Sequence, residues 1–234
     1  MDLIPQTVAW FGDPANWVGP GGIPARIVEH LVLAGVVVLV GVLIAVPLGL
    51  VIGHTRKGAL LAINLANIGR AVPSYALLLV LFPIFGLGFA TAFPALLLLT
   101  VPPILTNTYV GISEVDPDVV DAGRGMGMHG AQLLARVEVP LALPFILAGI
   151  RIAAVQVVAT ATLAALVAGG GLGRYIVDGF ALQDHGQLVA GGLLVAGLAL
   201  ATERLLAGVE RRVTSPGIRM AASSGTGSVA LEDG

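Results

Sequence analysis

The sequence predicts an all-α membrane protein that crosses the bilayer five times, with its N-terminus outside and its C-terminus in the cytoplasm. Three observations lead there. Of the 234 residues 56% are hydrophobic and only 11% are charged, for a mean hydropathy of +0.95, whereas a water-facing surface needs about a quarter of its residues charged. The apolar residues fall in stretches long enough to cross a hydrocarbon core of roughly 30 Å at about 1.5 Å per residue. Within those stretches sit many of the 32 Gly and 14 Pro, residues that membrane helices tolerate better than soluble ones do.

Leu31–Gly53 carries no charge and makes the first span. Residues 58–88 are apolar but interrupted by Asn64, Asn67, Arg70 and Pro73, so they read as a polar lead-in, a proline kink and an apolar helix over about Val72–Phe85. Ala90–Ile112 is the third span. Apolar sequence returns over Leu141–Ala168, and Arg151, placed to snorkel toward an interface, limits the fourth hydrophobic core to about Ile152–Ala168. Leu188–Leu206 is the fifth, followed by Arg211 and Arg212. Orientation follows from the basic residues, which cytoplasmic loops retain. With the N-terminus outside, the inner side holds Arg56, Lys57, Arg124, Arg136, Arg204, Arg211, Arg212 and Arg219, against Arg26 and Arg174 outside.

Residues 1–26 form an N-terminal interfacial segment, of which Met1–Ala25 lacks the basic start of a cleavable signal peptide and carries Asp2 and Asp13. Trp10, Phe11 and Trp17 suit a segment resting at the outer interface. The transmembrane domain covers residues 27–208, and residues 209–234 form a cytoplasmic tail, expected to be disordered, rich in Ser, Gly and Ala. Several chemistries are absent from this composition. There are no cysteines, and His30, His54, His129 and His185 lack ligand spacing, so no metal site is expected. The net charge of −2 offers nucleic acid no basic field. Lys57, the only lysine, lacks a glycine-rich phosphate cradle around it, so ATP belongs to another chain and this one is not an enzyme.

Residues 114–140 form a long segment between spans three and four on the basic side. Asp116 is a good N-cap, Pro117 fits the first helical position, and Asp118 and Asp121 lie where the helix dipole favours anions. Gly123, Gly125 and Gly127 weaken that helix by about 1 kcal/mol each relative to alanine. A second helical stretch, Ala131–Glu138, runs up to Pro140. The expected product is helix, bend, helix, lying against the membrane.

The spacing of this segment resembles the EAA loop of type I ABC importer permeases: Glu-Ala-Ala, three residues, Gly, nine residues, Ile, one residue, Leu-Pro. Asp121, Ala122 and Gly123 stand for the triplet, Gly127 for the glycine, Val137 for the isoleucine, and Val139 with Pro140 for the final pair. Gly123 in place of the second Ala departs from the pattern and loosens the helix. The resemblance implies the type I importer permease fold, with this loop seated in a groove of a cytoplasmic ATPase subunit. Gly127 would let the partner's surface approach, and Met126 and Met128 would supply adaptable apolar contact.

Further stretches, among them Ala71–Ser74, Thr106–Ile112, Arg124–Met128, Leu141–Pro144, Ala148–Arg151 and Ala161–Ala165 running into Gly169–Gly173, resemble the osmoprotectant branch of those permeases, which carry glycine betaine, carnitine, choline and related quaternary amines. What this implies is a subunit of a bacterial inner membrane, paired with a second permease chain, identical or not. Two cytoplasmic ATPases would hold ATP and magnesium, and an external binding protein would deliver the solute; no cofactor is expected in this chain. With 2 Trp and 3 Tyr, the chain is poorly stocked for an aromatic cage around a quaternary ammonium, so substrate choice is expected mainly in the binding protein. A permease for methionine, another amino acid or an oxyanion is the nearest alternative. A secondary transporter would need coupling residues in the membrane, yet spans one and three contain no Asp, Glu or Lys.

Asn107, Tyr109, Gln156, Thr160 and Thr162 are candidates to line a translocation path, with interhelical hydrogen bonding as the other role open to them. Gly169–Gly173 reads as a flexible turn at the outer end of span four, either part of a gate or a helix terminus. Gly49 and Gly53 form a small-xxx-small pair for close helix packing.

Overall fold

The computed structural model describes residues 3–58, 60, 64 and 73–213, and among the described residues every regular element is helical. In order these are α1 (Leu3–Gly12), a short 3-10 turn (Pro14–Trp17), α2 (Ile23–Thr55), α3 (Ser74–Phe85), α4 (Phe89–Ser113), α5 (Pro117–Gly125), α6 (Gly130–Val167), α7 (Gly173–Ala181) and α8 (His185–Val213). Helices α2, α4, α6 and α8 are each long and apolar enough to cross a membrane, and α3 is a shorter apolar helix of 12 residues. The all-α reading holds. The expected second span is represented by α3, capped by Pro73, while its start near Arg70 and Val72 lies outside the described residues, as does the tail from residue 214.

Packing is organised by small residues. Gly41, Ala45, Gly49 and Gly53 recur every fourth position of α2 and are all buried, so they form one ridge along that helix. Opposite them on α4 stand Thr100, Ile104, Thr108 and Ile112, also at every fourth position and all buried. A Cβ on Gly41 would lie 2.5 Å from Thr100 Cγ2, one on Gly49 2.7 Å from Thr108 Cβ, and one on Gly53 2.6 Å from Ile112 Cβ. The numbering rises together on both helices, so α2 and α4 run parallel, at a separation that leaves no room for a side chain at Gly41, Gly49 or Gly53. Helix α4 meets α6 the other way round. Gly149 sits against Asn107 and Pro103, and Gly111 against Phe145 and Ala142, an antiparallel pairing. Buried from both sides, α4 is the centre of the bundle, while α2 turns Leu39, Leu43, Leu48 and Val51 outward, as a lipid-facing helix should.

Helix α6 departs from expectation. The segment 131–138 does not stop at Pro140 but continues into the fourth span as one helix from Gly130 to Val167. Residues Leu134–Glu138 form a π-helical turn, in which the N–H of Val139 reaches Leu134 O. Local widening of this kind lets a helix carry a proline without losing its backbone pairing. At its far end the helix tightens to 3-10 geometry over Ala161–Val167 and closes on Ala168, at φ +60°, followed by Gly170 and Gly171 at +76° and +75°.

That glycine turn, which the sequence presents as flexible, is fastened to α2. Glu29 Oε2 accepts the N–H of Gly171 at 2.9 Å and a guanidinium N–H of Arg26 at 2.8 Å. His30 has no exposed surface; its Nε2 lies 2.8 Å from Val158 O and its Nδ1 takes the N–H of Leu172 at 3.3 Å. A carbonyl can only accept, so the proton is on Nε2 and both ring nitrogens are used. Around this point the same end of the bundle gathers α1 and the amphipathic α7, which the sequence did not announce. Trp10 packs edge-on to Tyr175 with ring centroids 5.0 Å apart, and Tyr175 Oη donates to Gly21 O at 2.7 Å. Burial pushes the Tyr175 hydroxyl above the usual phenol range, which keeps it a donor.

The ridge predicts a steep dependence on side-chain size. Gly49→Leu should destabilise the detergent-solubilised protein by about 1–3 kcal/mol through overpacking, read as a lower midpoint in thermal unfolding. Gly197→Leu, where a Cβ meets nothing within 4 Å, should leave that midpoint unchanged.

Candidate coupling surface and transport face

Helix α5 begins as its residues dictate. Asp116 Oδ1 accepts the N–H of Asp118 at 2.8 Å, and Pro117 occupies the first turn. Its inner side is Val120 and Gly123, both buried, and a Cβ on Gly123 would lie 2.7 Å from Leu133 Cδ1. The substitution that loosens the helix in isolation is therefore the seat into which Leu133 fits. Val115, Val120 and Leu133 close a small apolar cluster with Val137 and Leu141, clamping α5 against the start of α6.

The helix ends in a Schellman arrangement. The N–H of Met128 reaches Gly123 O at 3.2 Å, that of Gly127 reaches Arg124 O at 2.9 Å, and Gly127 takes the left-handed conformation at φ +81°. Nothing lies within 4 Å of where its Cβ would be. Gly127 is thus demanded by backbone conformation as well as by the open approach its size allows. Asp121, Ala122, Arg124, Met126 and Gly127 are exposed, Met126 to 71%, while Met128 is half-buried. Asp121 pairs with Arg124 at 3.2 Å in water, where such a pair contributes little. The loop therefore offers a short, rigidly backed helix with a bare, partly apolar crest.

The five transport candidates do not converge on one cavity. Asn107 lies between α4 and α6, under Gly149, and its Nδ2 donates to Pro103 O at 2.8 Å. Tyr109, two residues on and so about 200° around the helix, packs with the cluster of Ala45, Ile104, Leu105 and Ala153. Gln156 and Thr160, four apart, share one face of α6, where Gln156 is exposed and Thr160 half-buried. Thr162 donates to Ala159 O at 2.9 Å and lines a cavity of about 280 Å³ with Leu166, Ile176 and Phe180.

Arg151 reaches the end of α8 that carries Arg204, Arg211 and Arg212. It pairs with Glu203 at 3.2 Å and Glu210 at 3.4 Å, carboxylates two turns apart on one face of α8, a geometry that the forked guanidinium can serve and an ammonium cannot. Two further residues went unnoticed in the sequence: His54 Nδ1 and Glu138 Oε2 are 2.6 Å apart, between the end of α2 and the π turn of α6. Their separation of 84 positions leaves no local pattern to find. Among the described residues no group of three or more His, Cys, Asp or Glu side chains gathers to hold a metal.

The fold is that of a known class. A chain of the inward-facing MetNI methionine ABC transporter superposes with a TM-score of 0.73 at 23% identity, covering 87% of this chain and 99% of that one. A chain of an amino acid ABC transporter superposes with a TM-score of 0.65 at 19% identity, covering 89% of this chain and 94% of that one. These are permeases of the type I ABC importer fold. Within that class the chain belongs to the family of binding-protein-dependent transport system inner membrane components, which it matches over residues 27–215. The glycine betaine/carnitine/choline transport system permease protein OpuCB of Bacillus subtilis is 40% identical over 191 residues, 82% of this chain and 88% of the relative. The osmoprotectant import permease protein OsmW of Salmonella typhimurium is 35% identical over 196 residues, 82% of this chain and 91% of that one.

The Arg151 bridge makes its own prediction. Arg151→Met, which strands Glu210 beside α6, should cost about 1 kcal/mol, the upper end for a partly exposed ion pair, and Glu210→Gln in the same chain should recover part of it. Thermal unfolding in detergent measures both.

Proposed function

We propose that the chain is the membrane-spanning permease subunit of an ATP-driven importer for glycine betaine, choline, carnitine or related quaternary amines. The observation that carries this reading is the 40% identity, over most of both chains, to a permease of a glycine betaine/carnitine/choline transport system. The subunit works beside a second permease chain, identical or homologous. ATP and magnesium are held by two cytoplasmic ATPase subunits, and an external binding protein selects and delivers the solute. The N-terminus faces outward and α5 faces the cytoplasm, a direction supported by the basic residues near the ends of α2, α5 and α8.

In this reading Asp121, Ala122, Gly123, Met126, Gly127 and Met128 form the part that sits against the ATPase. Closure of the ATPases around ATP moves α5, and the permease pair shifts between inward-open and outward-open populations. The exposed Gln156 and half-buried Thr160 on one face of α6 support a path between two permease chains. Asn107, Tyr109 and Thr162 support that face from within.

The test is uptake of labelled choline and glycine betaine into proteoliposomes holding the complete complex, with ATP inside and binding protein outside. Uptake of either solute and not of methionine is the expected result; methionine uptake alone would overturn the substrate class. Gly127→Trp should abolish most uptake, by about tenfold or more, while ATP hydrolysis continues. Gly127→Asn, which tolerates the left-handed conformation, should lose much less.

A further inference from the structure

We infer that His54 and Glu138 are positioning residues that carry the movement of α5 into α2, an inference that rests on the coupling role proposed for α5. Helix α5 is joined to α6 by chain and by the Leu133 cluster, so its motion reaches α6 directly. Helix α2 packs on α6 farther along, with Val46 and Leu50 in the cluster of Ile112, Ala142 and Ile146. In its last turn the side chain of His54 adds a polar link to Glu138, beside α5.

Three observations place the pair at a junction. Glu138 is 5% exposed and sits at the last position of the π turn Leu134–Glu138, a helical irregularity that recurs at functional sites. The same imidazole spans to the beginning of α6, since a Cβ on Gly130 would lie 3.3 Å from His54 Nε2. One ring thus faces both ends of the segment that connects the coupling helix to the fourth span. Beside it opens a polar cavity of about 330 Å³, lined by Arg56, Asp121, Arg124 and Pro117 together with the pair. Its wall is shared by α5, the end of α2 and Glu138 of α6. A hydrogen bond of 2.6 Å to a carboxylate falls in the short, strong range, and a buried carboxylate losing its partner is costly. Because α2 is locked to α4 along the Gly41–Gly53 ridge, a displacement at His54 moves both helices together.

The experiment uses the complete transporter in proteoliposomes and reads labelled choline taken up per ATP hydrolysed. Glu138→Ala and His54→Ala should each lower that ratio by about tenfold while the ATPase subunit still co-purifies, and the double variant should fall no further than either single one. Glu138→Gln, which keeps an acceptor for the imidazole, should restore most of the ratio. As the chain has no cysteine, His54→Cys with Glu138→Cys gives a second reading: a short thiol cross-linker should recover the coupling that the unlinked pair lacks. Unchanged ratios, additive loss in the double variant, or indifference to the cross-link would overturn the inference. Gly127→Trp run alongside separates the two levels. If it uncouples and the pair variants do not, the pair alone is refuted; if it too leaves the ratio unchanged, the coupling role of α5 fails beneath it.

Discussion

Everything in this bundle depends on how closely α2 can approach α4. In lipid there is no hydrophobic gain from pressing one apolar helix against another, so association rests on dispersion contacts and on the few polar groups that find partners. The row Gly41, Ala45, Gly49, Gly53 brings the backbone of α2 against Thr100, Ile104, Thr108 and Ile112. Helix α4 then presents its other side to α6 through Gly111 and Gly149. The same economy of side chains operates at α5, where Gly123 admits Leu133. Small residues set the distances, and the larger residues opposite them supply the contact area.

Charged and hydrogen-bonding groups are used sparingly and in tension with the medium. Arg151 meets two carboxylates of α8, His54 meets Glu138, and His30 with Glu29 holds the glycine turn. His30 and Glu138 are buried, where a polar group without a partner is costly. Each of these contacts joins two elements far apart in sequence. The apolar surfaces decide that the helices lie side by side, and these bonds decide their register.

What could be read from the sequence was local. Hydropathy located the long helices, the pattern Asp116-Pro117 announced the start of α5, and the pair Gly49 and Gly53 pointed to a close crossing before its partner was known. The spacing from Asp121 to Pro140 identified the family resemblance over residues whose local geometry, including the left-handed Gly127, matches a helix that ends abruptly. The remainder needed three dimensions. Gly123 looked like a weakness because its occupant, Leu133, is brought there only by the turn between α5 and α6. The partners of Arg151 were out of sight because its carboxylates lie on α8. The π turn hid behind Pro140, which by rule should end a helix, and α7 was too short and too amphipathic to register as a hydrophobic span.

The fastening of the glycine turn has a mechanical consequence for α2. At one end its Glu29 and His30 grip Gly171, Leu172 and Val158, and at the other its His54 grips Glu138, so both attachments are to α6 or the turn that immediately follows it. The helix is a brace pinned at two places along the same strut. Sliding by one helical turn, about 5.4 Å, would break every one of these bonds together, whereas tilting or rotating the braced pair as a unit breaks none. The architecture therefore channels conformational change into rocking and makes it a poor piston.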